Sequence, residues 1–157
     1  MPTPVSIWLE VAHHAAFRIG GWAFVRSAAG VVSGSAGGER LIDPERNVLA
    51  GISAALTGLP EGASVELHTA SPLVVAVPGR IAAAEAGEGS PTDNLDLWAR
   101  TAAAVKRVDL VIPPAAPAPG GTTAFAAAWA EFAQGRAKAR GAFSAPIPKV
   151  NLAKAGV

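Results

Sequence analysis

Glu10, His13 and His14 lie within five residues of one another, and His68 is the third and last histidine of the chain. A carboxylate with imidazoles at the ends of apolar stretches offers the ligand types of a divalent-cation site, or the groups of general acid–base chemistry. Such a ligand set would need Glu10, His14 and His68 on one side of a sheet. Adjacent His13 and His14 project to opposite faces of a strand, however, and one carboxylate without a metal or partner base explains no reaction. The blander role for Glu10 is a polar side chain at a strand end, satisfied by water or a nearby Arg. With no cysteine, thiolate nucleophiles, disulfides and Cys-based zinc sites are excluded. The stretches "GGER" and "APGGTT" lack a Gly-Lys-Ser/Thr ending and dinucleotide spacing, so they read as turns rather than phosphate loops.

Charge is the other chemical resource. The net charge of +1 over 157 residues hides an asymmetry: all 12 acidic residues fall at or before Glu131, and five cations follow it, Arg136, Lys138, Arg140, Lys149 and Lys154. An acidic body is a poor surface for phosphates, whose binding rests on Lys and Arg displacing counterions. Only the C-terminal segment could supply that interaction. Within it, "GRAKAR" (135–140) also fits a solvated helix terminus whose cations complement the helix dipole. The start, "MPTPVSIWLE", has no basic n-region and carries Glu10 where an apolar stretch would continue, so it does not read as a secretory signal. No apolar run is long enough to span a membrane. A cytoplasmic protein without cofactor is expected.

The elements that must hold these residues follow from periodicity and turn chemistry. "SIWLEVA" (6–12) is apolar and β-rich, and "GGWAFVRSA" and "GVVSGSAGG" continue it as an antiparallel meander. Asp43 offers an N-cap and Pro44 a first helical position, with Val48, Leu49, Ile52, Leu56 and Leu59 at helical spacing. "ASVELHTA" is a fourth strand, and "SPLVVAVPGRIAAAEAG" a helix that Pro78 should bend or divide. Thr92 or Asp93 should cap the helix "NLDLWARTAAAVKR", before the strand "VDLVIP", a proline-rich loop and the helix "TTAFAAAWAEFAQGRAKARG". Residues 142–157 read as a basic, extended or disordered tail on a domain of residues 1–141. Trp22, Phe24, Trp98 and Trp129 fall on apolar faces and read as core rather than as base-stacking surfaces.

This order, with "GGWAFV", "VLAGISAAL", "LPEGASVELHTASPLVV" and "NLDLWAR", resembles bacterial ribonuclease HI over roughly residues 6–140. The resemblance implies an α/β ribonuclease H-like fold: a five-stranded mixed sheet in order 3-2-1-4-5, its first three strands antiparallel, with helices on both faces. In that family, four carboxylates hold two Mg²⁺ ions that cleave the RNA strand of an RNA–DNA hybrid. Two adjacent hard cations require several anionic oxygens. The four positions fall on Glu10, Val48, Ala70 and Phe125, so three ligands are missing. The family's loop histidine falls on Ala115, the basic residue ahead of it on Pro113, and a substrate-contacting Thr-Asn-Asn on Asp43-Pro44-Glu45. Ala70 thus resembles the stump of a catalytic carboxylate.

No catalytic residue and no metal site are expected on that basis. The leading expectation is an inactive relative that binds a protein partner through an apolar former active-site face built from Phe125, Val48 and Ala70. The alternative is a binder of hybrid or duplex nucleic acid that does not cut, using Arg136, Lys138, Arg140, Lys149 and Lys154. A ribonuclease with a rebuilt metal site is the third reading.

Overall fold

The computed structural model describes residues 4–114 and 121–157. Three long strands come first, β1 (Val5–His14), β2 (Ile19–Ala28) and β3 (Val31–Arg40). They pair antiparallel as a meander. Helix α1 (Pro44–Leu56) crosses to β4 (Ser64–His68), followed by α2 (Pro72–Glu85), α3 (Leu95–Arg107) and the short strand β5 (Asp109–Val111). Both β4 and β5 run parallel to their neighbours. The long helix α4 (Gly121–Arg140) is followed by β6 (Phe143–Pro146) and the single-turn helix α5 (Lys149–Leu152).

The sheet order is β5-β4-β1-β2-β3-β6. This is the expected order with one correction: there are six strands, not five. The sixth comes from the segment expected to be extended or disordered. β6 pairs antiparallel with β3, from Phe143 opposite Gly38 to Pro146 opposite Ser35. Ile147, Leu152 and Ala155 are then buried against the sheet. Three apolar side chains on a 16-residue segment suffice to dock it, and its prolines and lysines disguised that capacity.

Asp43 caps α1 as expected, its carboxylate accepting the Arg46 N–H at 2.7 Å. Pro78 does not divide α2, which continues as one helix through it. The N-cap of α3 is neither Thr92 nor Asp93 but Asn94, held in the left-handed region at φ 56°. Its side-chain amide donates to the carboxylates of Asp43 (3.2 Å) and Glu45 (3.1 Å), which fastens the start of α3 to the start of α1.

Strand alternation divides the interior in two. Ile7, Leu9, Trp22, Phe24 and Leu67 point toward α1, α2 and α3, where Val48, Leu49, Ile52, Val74 and Trp98 complete one core. Ala23, Val25 and Ala36 point the other way, toward Ala130 and Ala133 of α4 and the C-terminal residues Ile147, Leu152 and Ala155. This second core is built from small residues because α4 lies very close to the sheet. A Cβ added to Gly21 would overlap the backbone of Ala130 and Gln134, and one added to Gly38 would press on Ala133 and Ala137. Gly21 of β2 and Gly38 of β3 and the alanine stripe of α4 are two sides of one contact.

Candidate functional site

The parallel register sets Trp8 of β1 beside His68 of β4. Two residues further on, Glu10 of β1 meets Ala70, which lies just past the end of β4. There the Glu10 carboxylate, only 5% exposed, accepts the backbone N–H of Ala70 at 2.7 Å. Burial pushes the Glu10 carboxyl above its usual range, while the Ala70 N–H and the Thr69 hydroxyl act in the opposite direction. The adjoining turn is closed locally: Ser71 N–H donates to Thr69 Oγ1 at 3.1 Å, and Ser71 Oγ caps α2 by accepting the Val74 N–H at 3.4 Å. The carboxylate at the strand end is thus bound to the backbone of the position that offers only a methyl group.

Val48 and Phe125 do not join Ala70 in a single apolar face. Val48 is 2% exposed and belongs to the core beneath α1. Phe125 is half-buried against the other core, under α4. Ala70 is exposed. What adjoins Val48 is a recess of about 390 Å³ between α1 and α2, lined by Pro44, Val48, Leu73 and Val77 and rimmed by Asp43, Glu45, Asp93 and Arg80. Arg80 donates to Glu45 at 2.6 Å. Burial pulls the Glu45 carboxyl upward, but Arg80 and Asn94 outweigh it and leave it below its usual range.

The histidines are employed elsewhere. His13 Nε2 bonds to the Ile42 carbonyl at 2.9 Å, the His14 ring lies tilted against Phe17 in the β1–β2 turn, and His68 stacks on Trp8. Glu10, His14 and His68 therefore do not converge, and no group of three or more His, Asp or Glu side chains able to hold a metal occurs among the described residues. The metal pair that the resemblance implies finds no fitting donors. Val48, Ala70 and Phe125 have no side-chain oxygen, and one Glu10 oxygen is taken by an N–H.

The cations expected to act as one tail occupy two ends of the molecule. Arg136, Lys138 and Arg140 are exposed on the last turns of α4. Thr122 Oγ1 donates to the Ala155 carbonyl at 2.8 Å, which brings Lys154 to the opposite end of that helix, about 20 Å away at 1.5 Å per residue. Lys149 starts α5. Ala115 lies outside the described residues.

Trp22, Phe24 and Trp98 are buried as expected, but Trp129 is only half-buried. It stands in an aromatic ladder along α4, its ring 6.3 Å from Phe125 and 5.3 Å from Phe132. The sequence signal was the 125, 129, 132 spacing, continued by Arg136 and Arg140, which marks one helical stripe.

No family profile and no curated protein matches this sequence. Solved structures do match in shape. LC9-RNase H1, described as a type 1 RNase H with the type 2 active-site motif, aligns with a TM-score of 0.70 at 17% identity, over 100% of this chain and 83% of that one. The N-terminal RNase H domain of a Mycobacterium tuberculosis protein, solved as a fusion with maltose binding protein, aligns at 0.56 and 19% identity, over 87% of this chain and 96% of that chain. RNase H1 from the halophilic archaeon Halobacterium salinarum aligns at 0.54 and 19% identity, over 83% and 97%. The chain has the ribonuclease H fold. No helix among the described residues is long and apolar enough to cross a membrane.

Proposed function

We propose that this chain is a ribonuclease H-fold protein that binds and does not cut. One observation carries the reading: Glu10, the single carboxylate at the four ligand positions, is buried and its oxygen is engaged by the Ala70 N–H at 2.7 Å. The site is closed by the backbone of the position where a second ligand would stand. Because fold does not fix function, the activity is argued from these residues and not from the shape.

The surface best suited to a protein partner is the recess between α1 and α2 rather than a patch containing Phe125. Its apolar lining includes the half-exposed Leu73 (51%), and Asp43, Glu45 and Asp93 outnumber Arg80 on its rim. That combination suits a basic segment carrying an apolar anchor.

The test is a titration of labelled RNA–DNA hybrid with Mg²⁺ or Mn²⁺, with strand length read in the same samples. Intact strands at every protein concentration are expected. Scission that disappears in Glu10→Ala would overturn the reading. A second reading, a binder of hybrid or duplex nucleic acid, is favoured by Arg136, Lys138 and Arg140, none of which is in an ion pair among the described residues.

A further inference from the structure

The flank of α4 combines features that neither the vacated site nor the recess accounts for. Phe132 is 56% exposed although it stands between a half-buried Trp129 and two arginines. Beside it is an open hollow of about 460 Å³ lined by Phe132, Gly135, Arg136 and Arg140. Gly135 keeps that hollow clear, since a Cβ there would meet nothing within 4 Å, and any larger side chain would project into this space. The Arg136 guanidinium lies 4.3 Å from the centre of the Phe143 ring on β6, so its position is set by the docked C-terminal strand. Arg140 follows one turn later, about 6 Å along the helix axis. Arg40 adds another positive charge at the same end by donating to the carbonyls of Ala137 and Lys138, both at 2.8 Å. The one acidic residue of α4, Glu131, is set against all of these.

We propose that this stripe, Trp129, Phe132, Arg136 and Arg140, is a binding track for single-stranded nucleic acid: a base stacks on Phe132 and the adjoining phosphates meet the two guanidinium groups. An exposed aromatic face beside unpaired cations is what a strand with splayed bases can use. A duplex keeps its bases stacked inside and offers that ring nothing. An acidic peptide would satisfy the cations and leave the ring in water. The inference rests on the second reading above and sharpens it, replacing hybrid or duplex by a single strand and the dispersed basic segment by one face of one helix. It needs no contribution from Lys149 or Lys154.

The experiment uses the whole chain and a labelled oligothymidylate of about ten nucleotides, followed by anisotropy at low and at physiological salt, with a hybrid of equal length in parallel. The single strand is expected to bind more tightly than the hybrid. Phe132→Ala, an exposed position whose loss leaves the core intact, should weaken it about 10-fold. Arg136→Ala with Arg140→Ala should make the log–log salt dependence shallower by about 1.4. If the hybrid binds at least as well and Phe132→Ala changes nothing, the track is wrong while duplex binding survives. If inorganic polyphosphate displaces the strand from wild type and Phe132→Ala equally, the surface is only an anion exchanger and the proposal fails. Absence of binding to either probe at low salt removes both the track and the reading on which it rests.

Discussion

Around Glu10 a polar group has been drawn inside and tied to the backbone, whereas along α4 large apolar and cationic groups have been left in solvent. The two regions share one sheet. In the first, the fold closes over a charge: Glu10 is 5% exposed and Val48, beside the recess, is 2% exposed. In the second, the buried contact with the sheet is made by the alanine stripe at 126, 130, 133 and 137, flanked by the half-buried Phe125 and Trp129, so Phe132, Arg136 and Arg140 are not needed to hold the helix down. A side chain that holds no element in place and is nonetheless large, aromatic and exposed is a better pointer to binding than a vestige that has been packed away. That contrast separates scaffold from surface more cleanly than the four ligand positions do.

The contrast breaks most readily at Val48. If that position is now core, Val48→Glu buries an unpaired carboxylate and should cost about 3 kcal/mol or more. The denaturant midpoint should fall with little change in slope. A loss below about 1 kcal/mol would mean that the position still accepts charge, and the first region would be an open site rather than a closed one.

The second region should fail through the sheet rather than through its own surface. Gly21→Val drives a side chain into the backbone of Ala130 and Gln134, and overpacking of this kind costs about 2 kcal/mol. Because the helix must shift to admit it, the affinity for oligothymidylate should drop together with the stability. Unchanged binding in a clearly destabilised Gly21→Val protein would show that the track does not depend on how α4 is seated.

The sequence made the first region legible and left the second obscure for physical reasons. Strands 1 to 5, the antiparallel meander of the first three and the Asp43 cap follow from alternation and turn chemistry, which are local signals, whereas the sheet order came from the resemblance. The level placement of Glu10 and Ala70 came from the resemblance, but the hydrogen bond between them needs the parallel register of β1 and β4. The sixth strand was hidden because Phe143–Pro146 is short and ends in proline, and the Ile147, Leu152 and Ala155 side chains that dock the segment are scattered among prolines and lysines. The α4 ladder was hidden by exposure: Trp129 has the type of a core residue, and no local pattern says that alanines will take the buried positions and leave Phe132 in solvent. Asn94 was overlooked because its partners, Asp43 and Glu45, lie about fifty positions away.

The smallest expected effect tests the enclosed carboxylate itself. Burial raises the Glu10 carboxyl above its ordinary value of 4.5, so the folded chain holds that proton more tightly than the unfolded chain. The resulting stabilisation is complete below pH 4.5 and is lost as pH rises through the folded value. Glu45 behaves oppositely, because its carboxyl is lowered: its contribution is present above 4.5 and is lost as pH falls through its folded value. Wild type and Glu10→Gln should therefore differ in one direction only, with the wild-type melting temperature declining relative to the variant as pH rises from 4.5. A tenfold tighter hold on the proton in the folded chain corresponds to about 1.4 kcal/mol. Parallel curves for the two proteins would mean that Glu10 titrates as it does in the unfolded chain, in which case the Ala70 N–H fully offsets its burial. The enclosed carboxylate would then be as well solvated by the protein as by water, and the closing of the site would have carried no electrostatic penalty.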